Sequence, residues 1–330
     1  MSNPNESNSP ADHEHRPGGG SAEAGLLCGA SHNATLQRQP GAERLAGGSA
    51  EPLRILSLGA GVQSSCIALM SAAGELPMMD AAIFADTQNE PPAVMRYLEM
   101  LESMLPFPVY RVTAGNLAED FLAAARGEKK RCGQPPFYVR KSDADAIAAG
   151  RSIDTRGGML WRQCTKEYKI IPIQRKVREL IAEAGPRTAV KYIGISLDEA
   201  HRMKTSGVKY ITNVYPLIDL RMSRWDCLRW VANAGLPEPP KSACWHCPYR
   251  SNHQWRKMKM TDPESWRSAV AFDNAARAAK ATKINGAGIT GEVFVWRGMK
   301  PLEAADLTND IDNGQGEIDF GNECEGMCGL

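Results

Sequence analysis

The chain has no long apolar run and almost no net charge. None of its apolar stretches reaches the roughly 20 residues that a membrane-spanning helix needs, and its first residues contain no apolar signal core. We therefore expect a cytoplasmic protein that does not span a membrane. The formal net charge of +1 over 330 residues favours no particular class of charged partner.

A disulfide framework is also missing. The nine cysteines are odd in number and lie in a long chain without a secretory signal, so they indicate thiolate chemistry or metal binding instead. The apolar content of 43% is ordinary for a globular protein. A chain of this length can form one large or two medium domains around a sizeable core.

Composition divides the chain into four segments. Residues 1–52 are poor in large apolar side chains, which predicts a disordered N-terminal tail. Residues 53–220 alternate strand and helix patterns, and residues 221–308 are predicted to form a helical C-terminal module. Residues 309–330 hold six acids and no base, which predicts an acidic tail that contains two cysteines.

The informative unit is a strand, a small-residue loop and a helix in residues 53–70. Its first six residues are typical of a buried parallel strand, and residues 59–61 read Gly-Ala-Gly. Such a loop can present backbone N–H groups and a helix N-terminus to an anion. Gln63, Ser64 and Ser65 add side-chain donors. An ordinary β–α turn explains the same pattern equally well.

Strand and helix patterns continue to alternate beyond this unit. Strands are predicted at 80–85, 109–112 and 189–195, an extended segment at 208–217, and helices at 91–105, 117–125, 168–184 and 224–234. This order predicts an α/β fold, a Rossmann-like parallel sheet with helices on both faces. Ligands of such sheets lie beyond the carboxyl ends of the strands. There Asp86 can bind a ribose hydroxyl or a hydrated cation, or simply cap the next helix.

Two segments are strongly basic. Residues 126–141 carry six bases and one acid, and residues 151–178 carry eight bases and two acids. The first is predicted to be a loop. A charge run of this kind is usually a solvated face, but a site for a polyanionic substrate is a fair competitor because the run brackets Cys164.

Cysteines supply the second candidate site. Cys244 and Cys247 form a C-x-x-C sequence that can bind metal or act as a redox pair. With Cys164 they predict a metal centre, either zinc or a [4Fe–4S] cluster, whose fourth ligand stays open. His246 offers a mixed zinc site, although ligation of one ion by three donors from four consecutive residues is strained.

Six stretches, in this order along the chain, resemble the phosphoadenosine phosphosulfate reductase family within the adenine-nucleotide PP-loop (ATP pyrophosphatase) group. They are GAGVQS (59–64), FADT (84–87), CTKEYKIIP (164–172), GISLDEAHR (194–202), YPLID (215–219) with a following Trp225, and CWHCP (244–248). Each motif is weak alone, and the ordered set is specific. The resemblance implies a PP-loop nucleotide-binding domain of the HUP type with a small Cys-rich C-terminal module.

The resemblance also implies which residues bind nucleotide and metal. The nucleotide contacts are expected from Ser57, Gly59, Gly61, Gln63, Ser64, Ser65, Asp86, Thr87, Lys166 and Arg202. The metal ligands are expected to be Cys164, Cys244 and Cys247. The nucleotide itself is expected to be ATP or a sulfonucleotide.

The sequence departs from the family at the positions that carry chemistry. Gln63 stands where ATP-hydrolysing members have an acid, which is closer to the sulfonucleotide reductases. Cys164 follows Gln163, where iron–sulfur reductases have a pair of cysteines. Cys324 and Cys328 each match part of the family's nucleophile segment, so these two are the candidate catalytic thiols.

Three functions follow from these observations. The first is a reductase whose thiol attacks phosphoadenosine phosphosulfate or adenylyl sulfate, with an external dithiol as the reductant. The second is an ATP-dependent sulfurtransferase that modifies tRNA or DNA and contacts phosphates through its basic segments. The third is a non-catalytic nucleotide-binding regulator with a structural metal knuckle. The oligomeric state stays open.

Overall fold

The computed structural model describes residues 51–140, 157–185, 188–279 and 291–308. The helices and strands are β1 (Leu53–Leu58), α1 (Val62–Ala72), β2 (Ala81–Asp86), α2 (Pro92–Met104), β3 (Val109–Thr113), α3 (Leu117–Ala125), β4 (Tyr138–Arg140), β5 (Gly158–Met159), a π-helical turn (Lys166–Ile170), α4 (Ile171–Ala184), β6 (Ala189–Ile193), a 3₁₀ helix (Leu197–Arg202), β7 (Ile211–Val214), α5 (Pro216–Asp219), α6 (Arg224–Asn233), α7 (Asn252–Thr261), α8 (Pro263–Ala278), β8 (Glu292–Phe294) and a short 3₁₀ turn (Leu302–Ala304).

Five parallel strands form the main sheet, in the order β3-β2-β1-β6-β7. In β1, Ser57 is paired with Ile83 on one side and with Ile193 on the other. The strand order reverses at β1, so the loops after β1 and β6 open into the crevice at the switch point, where ligands of such sheets bind.

Helices cover both faces of this sheet, because its strands are apolar on both sides. On one face Leu56, Leu58 and Phe84 pack with the apolar side chains of α1, α2 and α6. On the other face Ile55 and Ile83 pack with α4. The α/β class and the parallel sheet predicted from the sequence are therefore confirmed.

A second core lies in the C-terminal half and recruits residues from the basic segment. Strands β5, β4 and β8 form an antiparallel sheet, and the rings of Phe121, Phe137 and Phe272 pack together with centroids 4.8 to 5.8 Å apart. Part of the segment predicted as a loop at 126–141 is thus strand β4, beside the buried Phe137.

Most element predictions agree with the structure, and besides the loop at 126–141 a second one is wrong in part. The segment at 208–217 was expected to be extended, but only Ile211–Val214 is a strand, and Pro216 starts the short helix α5. Proline is well tolerated at the first turn of a helix, which explains the difference. Of the two predicted tails, residues 1–50 and 309–330 lie outside the described residues. Within the described part of the chain no helix has both the length and the apolarity to cross a bilayer.

Candidate functional site

The loop between β1 and α1 is closed by its own serine. The Gly59 N–H donates to Ser64 Oγ at 3.1 Å, and this hydroxyl donates to the Gly61 carbonyl at 3.4 Å. Gly61 is the N-cap of α1, and no side chain caps the helix. The first amides of α1 therefore still have the capacity to bind an anion.

Gln63 occupies the centre of a buried polar network above this loop. Its Nε2 donates to Ser196 Oγ at 3.3 Å and to Glu199 Oε2 at 3.2 Å, and its Oε1 accepts from Arg224 Nη1 at 3.4 Å. The side chain of Glu199 also pairs with Arg202. A carboxylate and a guanidinium group thus contact Gln63, and a second guanidinium group pairs with that carboxylate.

Gly194 allows the loop after β6 to approach α1. A Cβ at this position would lie 2.7 Å from the Ser64 amide nitrogen and 3.0 Å from the Gln63 carbonyl carbon. Both are backbone atoms that cannot move aside cheaply. The glycine therefore holds the two crevice loops against each other.

Asp86, the last residue of β2, and Thr87, which follows it, have different roles. Asp86 Oδ1 accepts the Gln88 N–H at 2.6 Å, so this carboxylate shapes a turn in which Gln88 has a φ of 60°. Thr87 Oγ1 lies 3.2 Å from Cys244 Sγ instead. The structure thus places Thr87 beside the cysteines.

A cavity that is partly open to solvent lies where the cysteines meet. It is lined by Thr87, Leu117, Pro135, Pro136, Arg162, Cys164, Thr165, Lys169, Cys244, His246, Cys247 and Pro248. The three predicted metal ligands therefore share one cavity although they are distant in sequence. Ser242 lies two residues before Cys244, and its Oγ donates to the Gly59 carbonyl. This hydrogen bond connects the loop to the cavity.

A buried ion pair lies at the cavity wall. Lys169 Nζ is 3.8 Å from Glu90 Oε1, and both side chains are nearly inaccessible. Thr87 Oγ1 donates to Glu90 Oε2 at 2.7 Å. Burial raises the pKa of Glu90, and the charge of Lys169 and the hydrogen bond from Thr87 oppose that rise.

The same charges act on the thiols. Burial, and next the charge of Glu90, raise the pKa of the Cys244 thiol, whereas Lys169 lowers it. Arg162 adds a second cation at the cavity and lies 5.5 Å from the ring centroid of Tyr249. Trp161, just before it, is 83% exposed.

The lysine that lines the cavity is Lys169, and the nucleotide contact expected of Lys166 stays a prediction. Lys166 is exposed. The reason is the π-helical turn, in which the Ile171 N–H donates to the Lys166 carbonyl five residues earlier. Residues five apart are therefore aligned, and Lys169 follows Cys164 by five positions. An α-helical spacing does not place them together.

Four further residues of the site were missed by the sequence analysis: Glu90, Glu199, Arg224 and Lys169. Glu199 lies inside the motif at 194–202, and Arg224 lies directly before Trp225. This proximity to the motifs is the only signal in the sequence that favoured them. Ser57 and Ser65 are buried in β1 and α1 beside the loop, and Arg202 reaches the loop through Glu199. The candidate catalytic thiols Cys324 and Cys328 lie outside the described residues.

His246 lines the cavity together with the three thiols. Its ring is 1% exposed, and burial lowers its pKa to about 3. Within the described residues no three carboxylate, imidazole or thiol groups come together as tightly as a single metal ion requires. The donor set of three thiols and one neutral imidazole around a cavity nevertheless has the chemistry of an iron–sulfur or zinc site. The metal centre stays a prediction.

Comparisons with known proteins give a distant fold-level match only. No protein-family model matches the chain, and no curated protein matches it either. A crystal structure of phosphoadenylyl-sulfate (PAPS) reductase from Candida auris, in a phosphate complex, is similar with a TM-score of 0.33 and 13% sequence identity, over 57% of this chain and 76% of that chain.

Proposed function

We propose that the chain is an adenine-nucleotide-dependent enzyme of sulfur chemistry, with the reaction of a phosphoadenosine phosphosulfate or adenylyl sulfate reductase. One observation carries this proposal. The segment that bears the cysteines is hydrogen-bonded through Ser242 to Gly59 of the β1–α1 loop. Thiols and a loop suited to phosphate are thus held side by side at the switch point of the sheet.

The nucleotide binds in this proposal with its phosphates on the loop. Gly59, Gly61 and the first turn of α1 supply N–H groups, and Ser64 keeps the loop in the required shape. Arg202 and Arg224 supply positive charge beside Gln63. This charge suits a sulfonucleotide, whose sulfate and phosphate groups are all anionic.

The chemical step is a thiol attack on sulfur. A thiolate of Cys324 or Cys328 attacks the sulfate sulfur, the bond from that sulfur to the phosphate oxygen breaks, and the nucleotide leaves with the electron pair. The product on the enzyme is an S-sulfocysteine. An external dithiol then attacks the cysteine sulfur, sulfite departs, and the dithiol is oxidised to a disulfide. The net reduction therefore consumes one dithiol for each sulfite.

The thiol cavity belongs to the same proposal as a cofactor site. Cys164, Cys244 and Cys247 would hold a [4Fe–4S] cluster or, as the alternative, a zinc ion. A bound cluster supplies a polarisable or electron-transferring centre beside the nucleotide. Lys169 and Arg162 offset the negative charge of the thiolates, and Glu90 holds Lys169 in place.

A second candidate has its own supporting observation. The loop lacks a carboxylate, but Glu199 brings one to within 3.2 Å of Gln63. A carboxylate there is a ligand of the kind that magnesium uses in ATP sites. The corresponding function is an ATP-dependent sulfurtransferase that modifies tRNA or DNA.

Calorimetry on anaerobically purified chain distinguishes the two. Magnesium–ATP, adenylyl sulfate and its 3′-phosphorylated form are titrated in turn. Preferred binding of a sulfonucleotide, with sulfite release in the presence of dithiothreitol, is the result expected. Preferred binding of magnesium–ATP, lost in Glu199→Gln, would establish the sulfurtransferase instead. Nucleotide binding without turnover of any kind would leave only a regulator.

Variants then test the assigned roles. Arg224→Ala should weaken sulfonucleotide binding at least tenfold, because its guanidinium lies beside Gln63. The matched control is Arg221→Ala, an exposed arginine three residues earlier. Cys324→Ser and Cys328→Ser test the nucleophile. Full turnover in both would show that neither thiol attacks the substrate.

A further inference from the structure

His246 is a buried polar group that the proposed reaction does not use. It lies inside the C-x-x-C sequence and lines the thiol cavity with Cys164, Cys244 and Cys247. Its Nε2 is 3.2 Å from Asn89 Oδ1, whereas its Nδ1 is buried without a hydrogen-bond partner. A buried nitrogen without a partner costs free energy unless a ligand satisfies it.

The hydrogen bonds of Asn89 determine which ring nitrogen carries the proton. Asn89 Oδ1 accepts the Ala118 N–H at 2.8 Å, and its Nδ2 donates to the Gln88 carbonyl and to Asn116 Oδ1 at 2.8 and 3.0 Å. The amide orientation is therefore fixed by three partners. Because the oxygen faces His246, Nε2 must be the donor, and Nδ1 keeps a lone pair.

The ring is also held rigidly. Trp245 packs edge-on against it with centroids 4.7 Å apart, and Phe272 lies on it at 4.6 Å. A neutral imidazole with its N–H given to an amide oxygen and its other nitrogen without a partner is the arrangement in which histidines bind metals.

We propose that His246 Nδ1 is the fourth ligand of an iron–sulfur cluster that Cys164, Cys244 and Cys247 hold in this cavity. The inference rests on the cluster in the proposed function and adds the ligand that completes it. Asn89 is its positioning residue.

The size of a cluster removes the strain that a single ion would impose. A tetrahedral zinc ion with bonds of about 2.3 Å to sulfur needs all its donors close to one point. Cys244, His246 and Cys247 lie within four residues, and the described donors do not converge so tightly. A cluster offers a separate iron atom to each donor, so the donors need not meet at one point.

The other described cysteines do not compete for this position. Cys66 and Cys227 are buried in the core between α1 and α6. Cys132 is buried in the C-terminal core and does not line the cavity. The residue before Cys164 is Gln163, so Cys164 has no cysteine directly before it that could supply the fourth ligand.

The test is electron paramagnetic resonance of the anaerobically reconstituted full chain. We expect the chain to take up iron and sulfide. In the paramagnetic state of the cluster we expect a strongly coupled nitrogen, whose coupling changes from that of ¹⁴N to that of ¹⁵N when the histidines are labelled with ¹⁵N. His246→Cys should retain iron, lose this coupling and have a lower reduction potential, because a thiolate replaces a neutral ligand. His253→Ala, which removes an exposed histidine of α7, should change none of these.

A reconstituted cluster without nitrogen coupling in the unmodified chain would overturn the proposal, as would coupling that persists in His246→Cys. Failure to bind iron would overturn it too. That failure is distinguishable from failure of the proposed function, which the nucleotide calorimetry tests by itself. The measurement on the unmodified chain keeps the proposal falsifiable even if a variant does not fold.

Discussion

Thr87 Oγ1 lies 3.2 Å from Cys244 Sγ, although the two residues are 157 positions apart. The same hydroxyl donates to Glu90 Oε2. One hydroxyl group thus contacts both the buried carboxylate and the thiol. One threonine connects the turn after β2, the buried ion pair and the cysteine segment.

Loss of the Thr87 hydroxyl should lower the stability of the protein. In Thr87→Val the buried Glu90 carboxylate loses a donor, and we expect the free energy of unfolding to fall by about 1–3 kcal/mol. Thr87→Ser keeps the hydroxyl and should cost about 1 kcal/mol or less. Urea unfolding measures both. Equal losses in the two variants would mean that packing of the methyl group, not the hydroxyl, is what matters.

Substitution of Lys169 should lower the free energy of unfolding far more than substitution of Lys166. Lys169→Met leaves Glu90 as a buried carboxylate without its cation, and removal of one partner of a buried pair costs about 3–5 kcal/mol. Lys166→Met changes an exposed side chain and should stay within about 0.5 kcal/mol. Chemical denaturation is the measurement, and Lys169→Met with Glu90→Gln should recover part of the loss. A mild effect of Lys169→Met alone would contradict the buried pair.

Gly194→Ala tests the contact between the crevice loops. Its methyl group would meet backbone atoms of Ser64 and Gln63, and overpacking of this kind costs about 1–3 kcal/mol. Gly158→Ala is the matched control, because a Cβ there meets nothing within 4 Å. Thermal or urea unfolding should show a loss in the first variant only. A neutral Gly194→Ala would refute the close approach.

Lys191 supplies a pH-dependent prediction. It is inaccessible in β6, and burial lowers its pKa to about 8. Between pH 8 and 10.5 the unfolded chain keeps this proton while the folded chain has lost it, so stability should rise with pH over that window. At pH 7 the folded state holds a desolvated ammonium group. Lys191→Met should therefore stabilise the protein there by about 1–3 kcal/mol.

The measurement compares the unfolding free energy of the unmodified chain and of Lys191→Met from pH 7 to 9.5. The difference between them should shrink as the pH rises. Lys209→Met, at an exposed lysine, should show no such trend. A constant difference would mean that Lys191 does not change protonation in this range.

The sequence by itself determined the α/β fold and the position of the loop. Local patterns suffice there, because residues 53–58 are apolar, the next three are small, and helical spacing follows at once. It also identified the three cysteines of the cavity, since a C-x-x-C spacing is local and Cys164 belongs to an ordered set of motifs.

Only the tertiary structure decided which groups surround those cysteines. Lys169, and not the exposed Lys166, lines the cavity because a π-helical turn changes the alignment of side chains. Glu199 approaches Gln63 from 136 positions away, and Asn89 orients His246 from 157 positions away. Contacts at such separations depend on how the strands are ordered in the sheet, and no periodicity in a single sequence encodes them.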